Sequence, residues 1–232
     1  MRILSIFTLT LVLAFPAFAQ SSSISAEEYD KAFEFALTET NERFPFIHTF
    51  TSQRFKNGSL VSESDHVAER QASGVERQIF TEIEDGKKKE SYQLRTGYGG
   101  NVYCSSDGKS WTGPQPYECP RSIRIYRPVT PSSTEYSVED TTVNGKKQKA
   151  YSKFEVFGTD PTTQTFSEEI ALIGSDGLFI STTQTMGRLK NKVIDAKLMN
   201  SWKLNAKFVP ITMPKNVTAP SKEKQTLTLI KN

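Results

Sequence analysis

The sequence predicts an α+β fold in which a curved antiparallel β-sheet, an unclosed half-barrel, wraps around one N-terminal helix and supplies most of the structure. Three observations predict it. A helix-capping box stands near the start of the chain, the apolar positions recur with period two from Phe46 onward, and five Asn-Gly or Asp-Gly dipeptides punctuate that alternation.

The capping box is Ser25-Ala26-Glu27-Glu28, whose Ser and Glu side chains satisfy backbone N–H groups of a first helical turn. Tyr29, Ala32, Phe33, Ala36 and Leu37 follow at helical spacing and form one apolar stripe, with Glu27, Asp30, Lys31, Glu34 and Glu39 on the other faces. The helix is expected over Ala26 to Asn41. Its stripe has only sheet to pack against.

The turn dipeptides are Asn57-Gly58, Asp85-Gly86, Asp107-Gly108, Asn144-Gly145 and Asp176-Gly177. Each supplies the positive φ values of a tight hairpin, so a meander of antiparallel neighbours is expected. The strands fall near 46–56, 59–71, 75–84, 90–97, 101–105, 121–127, 134–143, 147–157, 163–173, 178–186, 192–201 and 204–211. Ala150, Ser152, Phe154 and Val156 alternate with Tyr151, Lys153 and Glu155, and Phe166, Ile170 and Leu172 alternate with Ser167 and Glu169. Such a sheet has an apolar face and a wetted one. Gly99-Gly100, the stretch from Cys104 to Cys119 and the run from Pro114 to Pro128 break the pattern and are expected to form an irregular rim loop.

At the N-terminus, Arg2, the apolar run Ile3 to Phe15 and Ala17-Phe18-Ala19 read as an export signal cleaved after Ala19. Pro16 ends the apolar run short of the roughly 20 residues a membrane-spanning helix needs. Residues 1–19 are therefore a signal peptide, 20–214 one domain, and 215–232 a polar tail or edge strand. The mature chain is expected in the periplasm or outside the cell. Net charge is only +3 and mean hydropathy is −0.47, which gives no reason to expect nucleic acid as a partner and leaves no transmembrane segment. Cys104 and Cys119 are the only cysteines, and an oxidising compartment favours a bridge between them. Closing a loop of about 15 residues contributes on the order of 3 kcal/mol.

No catalytic motif is present. The two histidines, His48 and His66, come without a G-x-S-x-G serine. The adjacent acids Glu139-Asp140 and Glu168-Glu169 point to opposite faces of their strands, which is wrong for a glycosidase pair. No EF-hand spacing, phosphate loop or zinc spacing occurs. No metal or cofactor is called for, and an enzyme is not expected.

The leading helix, the hairpins from Phe46 to Glu84, the passage Gly99-Gly100-Asn101-Val102-Tyr103 to Asp107-Gly108-Lys109-Ser110-Trp111, and the hairpins through Ser175-Asp176-Gly177-Leu178 to Phe208-Val209-Pro210-Ile211 occur in an order that resembles the LolA-like superfamily of periplasmic lipoprotein carriers and related lipoproteins. The resemblance covers most of the mature chain. It departs from the carriers in the Pro-rich insertion bounded by Cys104 and Cys119, and in having one helix where they have further lid helices. It implies a non-enzymatic protein whose apolar sheet face binds a lipid, a lipoprotein acyl chain or another hydrophobic ligand. Phe154, Val156, Phe166, Ile170 and Trp202 are the expected wall residues. The competing expectation is a secreted structural or protein-interaction domain with no ligand cavity.

Overall fold

A computed structural model of the chain describes residues 21–84, 86–97, 100–115, 129–207, 211, 214–215 and 217–218. The expected signal peptide, the strand at 121–127, Cys119 and the apolar run Leu227 to Ile230 lie outside these residues. The helix, α1, spans Ala26–Glu42, and Ser25 caps it by accepting the backbone N–H of Glu28 at 3.1 Å.

The strands are β1 (Ser22–Ser23), β2 (Phe46–Lys56), β3 (Ser59–Arg70), β4 (Val75–Glu84), β5 (Lys87–Thr96), β6 (Val102–Ser105), β7 (Trp111–Gln115), β8 (Ser133–Val143), β9 (Lys146–Phe157), β10 (Thr165–Gly174), β11 (Phe179–Arg188), β12 (Val193–Leu204) and β13 (Val217–Thr218). Among the described residues they form one curved sheet of 13 strands in the order β1-β8-β9-β10-β11-β12-β2-β3-β4-β5-β6-β7-β13. Two meanders, β2 to β7 and β8 to β12, are thus fused through the long β12–β2 ladder, in which Trp202 faces His48. The first and last strands of that order do not pair, so the sheet stays open. All pairings are antiparallel except β13 with β7.

Each of the five turn dipeptides lies between antiparallel neighbours. At the two Asn-Gly turns both residues have positive φ, 53° and 79° at Asn57-Gly58 and 53° and 75° at Asn144-Gly145. That is the two-residue hairpin geometry whose twist matches the strands. At Asp107-Gly108 and Asp176-Gly177 only the glycine is left-handed, and the Asp side chain accepts a backbone N–H instead. Those two turns are longer loops organised by the carboxylate.

Some expectations need correcting. The segment expected to be irregular contains β7, and Ser22–Ser23, ahead of the helix where no strand is expected, form β1. Of the strand expected over 204–211, Leu204 ends β12, Asn205 turns with φ 52°, Ala206 and Lys207 belong to no strand, and residues 208–210 lie outside the described residues. β1 has two residues, too few to show a period, and the five of β7 include Gly113 and Pro114, which interrupt one.

The helix packs on β8 and β11. Ala36, Ala171, Ile173 and Phe179 form the core there, with Phe33, Tyr151 and Trp202 packed around them. The small Ala36 and Ala171 side chains let helix and sheet approach closely. Leu37, expected in the buried stripe, is 41% exposed, while Thr40 is fully buried and its Oγ1 accepts the Phe179 backbone N–H at 2.8 Å. The buried face is therefore rotated toward Tyr29, Ala36 and Thr40.

Candidate functional site

Strand periodicity fixes which side chains share the face that α1 covers. Asn200 pairs with Thr182, Thr182 with Ala171, and Ala171 with Tyr151, and Ala171 packs with Ala36 of the helix. Trp202, two residues from Asn200, stands on the same face. Across the β12–β2 ladder it is joined by His48, and beyond that by His66 and Phe80, which are register partners on β3 and β4.

The rings on this face form an unbroken row across the strands. Tyr136 meets Tyr29 with centroids 5.2 Å apart, Tyr29 meets Phe33 at 5.9 Å, and Phe33 meets Phe179 edge-on at 4.9 Å. Phe179 then stacks on Trp202 at 5.1 Å and Trp202 on His48 at 4.9 Å. His48 meets His66 at 6.5 Å and His66 stacks on Phe80 at 4.3 Å. The helix supplies rings to the first half of the row. The second half, Trp202-His48-His66-Phe80, runs on across β12, β2, β3 and β4 and is half-buried.

Polar groups flank the row and are hydrogen-bonded to one another, as groups on a partly dry face must be. His48 Nε2 lies 3.0 Å from Asn200 Oδ1, and Asn200 Nδ2 donates to Thr182 Oγ1 at 3.0 Å. Gln184 Nε2 donates to Ser167 Oγ at 2.9 Å. Toward β4 the buried Glu76 pairs with Arg70 at 3.1 Å and accepts from Gln78, and the Arg70 guanidinium lies 5.2 Å from the centre of the Phe46 ring.

Under the N-terminal half of the helix, the Tyr29 hydroxyl donates to Glu169 Oε2 at 3.2 Å, and Lys153 pairs with Glu155 at 2.8 Å. Burial raises the Glu169 carboxyl above its ordinary range, aided by Glu155, against the pull of the Tyr29 hydrogen bond and of Lys153. Burial, together with the Glu169 charge, also pushes the Tyr29 phenol up. His48 is held below the ordinary imidazole range, first by burial and then by the Arg70 charge, although its bond to Asn200 and the Glu76 charge act the other way. The Tyr29–Glu169 hydrogen bond ties the helix to β10. His48 is bonded to an amide and not to a hydroxyl nucleophile. Among the described residues no three His, Cys, Asp or Glu side chains converge as a metal site.

The five residues expected to form one wall do not share a face. Trp202 belongs to the row. Phe154, Val156, Phe166 and Ile170 lie on the opposite face, where Val156 pairs with Phe166 and the Phe154 and Phe166 rings stack at 5.9 Å. Alternation in β9 and β10 marks two sets of side chains but does not say which set meets the helix. The set that does meet it includes Tyr151, Lys153, Glu155, Ser167, Glu169 and Ala171, and is the more polar of the two. His48, His66 and Phe80 were missed as site residues. Their signal was present in the period-two spacing of His48 with Phe46 and Phe50.

Cys104 sits in β6 opposite Gln93, and no cysteine is free among the described residues. No helix among those residues is long and apolar enough to cross a membrane.

No family model matches the chain, and no curated protein matches it. Among solved structures it is similar to LprF from Mycobacterium bovis, with 11% identity and a TM-score of 0.40 over 84% of this chain and 99% of that one. It is also similar to a DUF1329 family protein from Desulfovibrio piger, with 6% identity and a TM-score of 0.21 over 81% of this chain and 96% of the other. The functional reading rests on the geometry of the helix-bearing face.

Proposed function

We propose that this chain is an exported, non-enzymatic binding or carrier protein that holds a lipid, an acyl chain or another hydrophobic ligand against the helix-bearing face of its open sheet. One observation carries the reading: the aromatic row continues past the helix through Trp202, His48, His66 and Phe80 while staying half-buried. A core filled for stability alone has no need of a ring row that outruns its covering helix, whereas binding sites combine apolar and aromatic walls with a few placed polar groups. The order of features shared with the LolA-like carriers supports the same reading. Export through cleavage after Ala19 and a Cys104–Cys119 bridge belong to the proposal.

The test is native mass spectrometry, with organic extraction, of the protein purified mildly from cells that make it. A stoichiometric lipid or lipopeptide mass on the wild type, lost in Trp202→Ala and kept in Phe154→Ala, supports the reading and assigns the face. A clean apo mass in the wild type removes it and leaves a protein-interaction domain as the better account. The polypeptide mass from the same spectra reports whether the chain begins at Gln20.

A further inference from the structure

We propose that the ligand row is gated by protons: acid places a positive charge on His48, between Trp202 and His66, and so releases an apolar ligand. The inference rests on the row being a ligand wall.

The chain has only two histidines, and the fold sets them side by side in this row, with centroids 6.5 Å apart, Trp202 on one flank and Phe80 on the other. No other side chain changes its charge in the mildly acidic range without a strong perturbation. Two positions in an apolar row are thus convertible from neutral rings to cations.

The hydrogen bonds define what a proton would do. Asn200 Nδ2 is committed to Thr182 Oγ1, so its Oδ1 faces His48 as an acceptor, and His48 Nε2 must carry hydrogen. The neutral ring is therefore protonated at Nε2, and the added proton goes to Nδ1. The Asn200 bond survives. Acid adds charge to the wall without dismantling it.

The surroundings decide when this occurs. From β12, His48 meets the uncharged Trp202 and Asn200; from β3 it meets Ala68, His66 and the Arg70 charge, which repels an imidazolium. Glu76 on β4 attracts one, but it is already paired with Arg70 and bonded to Gln78. Burial opposes the charge further, so His48 is neutral at pH 7 and takes its proton only below the ordinary imidazole range. A proton on His66 would add a like charge beside it. An apolar ligand lying on the row deepens the burial of His48 and weakens its proton affinity again. By reciprocity, the proton must then weaken the ligand. For one proton the loss approaches about tenfold per pH unit below the His48 pKa of the free protein.

The experiment is fluorescence titration with N-phenylnaphthylamine, a neutral probe that does not itself titrate in this range, at pH 7.5 and about pH 4.5, with circular dichroism confirming the fold at both. Wild type is expected to bind several-fold more weakly in acid, with a ceiling of about tenfold for each pH unit below the His48 pKa. His48→Gln, whose amide can still donate to Asn200, is expected to show nearly equal affinity at the two pH values, whatever its affinity at pH 7.5. His66→Gln should retain most of the acid effect. Equal acid loss in wild type and His48→Gln, or no loss in wild type, overturns the gate while leaving the ligand wall in place. No probe binding at pH 7.5 removes the wall and the gate together. Should His48→Gln not fold, NMR titration of the wild-type histidine ring protons with and without probe decides: an equal His48 pKa in both overturns the gate.

Discussion

Thr40 shows how much one side chain settles here. It is fully buried in the last turn of α1, and its hydroxyl oxygen accepts the Phe179 N–H, which tethers the helix to the first residue of β11. Thr40→Val keeps the shape and strands that N–H, so urea denaturation should show a loss of about 1–3 kcal/mol, while Thr40→Ser recovers most of it. Phe179 itself stacks on Trp202 and meets Phe33, and Phe179→Ala should cost about 3–5 kcal/mol in the same assay. Glu169 works in the opposite sense. Its carboxyl pKa is raised in the fold, so the native state holds a proton that the unfolded chain has already released. Its contribution is complete below the ordinary carboxylate pKa and is lost as pH rises through the raised value. Glu169→Gln should abolish that part of the alkaline decline when unfolding is measured at about pH 5 and about pH 8, since the amide oxygen still accepts from Tyr29.

At the scale of elements, α1 is held by its cap and by one face. Ser25→Ala leaves an N-terminal N–H without its partner and should lower stability by about 1 kcal/mol, seen as a lower urea midpoint with an unchanged denaturant slope. The β2–β3 hairpin carries the more consequential detail. Near the turn, Lys56 pairs with Ser59 and Phe55 with Leu60, but Arg54 pairs with Ser62, so Val61 is an extra residue in β3. That bulge moves the register by one and sends the rest of β3 to the other face. Were Val61 paired in step with the turn, Val67 and not His66 would share the face of His48. Deleting Val61 removes the extra residue and leaves Arg54 opposite Ser62, so the His48–His66–Phe80 run and the aromatic near-ultraviolet circular dichroism should survive, whereas inserting one alanine between Glu63 and Ser64 should turn His66 to the other face and collapse the signal. Similar register steps occur at Leu172/Ile173 in β10 and at Met186/Gly187 in β11. A reading from turn dipeptides counts residues outward from the turn and misses each such step, and alternation alone does not say which of two faces meets the helix, so the strands were legible while the five residues expected to form one wall fall on two faces.

For the whole molecule, acid and alkali act on stability through different groups. His48, with its pKa lowered in the fold, contributes stability that is present above the ordinary imidazole pKa and lost as pH falls through the lowered value. Glu169 loses its contribution as pH rises past the ordinary carboxylate pKa, so between the ordinary carboxylate and imidazole pKa values both groups are charged in the unfolded chain and resist charge in the fold, and the pair lowers stability in mildly acidic solution. A Cys104–Cys119 bridge is expected to add on the order of 3 kcal/mol; Cys119→Ser should remove it, and thiol labelling of unreduced, unfolded wild type should find no thiol. The sequence by itself determined the helix, its serine cap, the long strands and the antiparallel hairpins, because each is written in a local period or in a dipeptide with a particular φ. Only the tertiary structure decided that β12 and β2 fuse two meanders, that one-residue register shifts reset which residues of a strand share a face, and that the chain's two histidines meet in one aromatic row. The physical reason is parity. A strand has two faces and a period of two, so local pattern defines both sets of side chains equally well, and only long-range register selects between them.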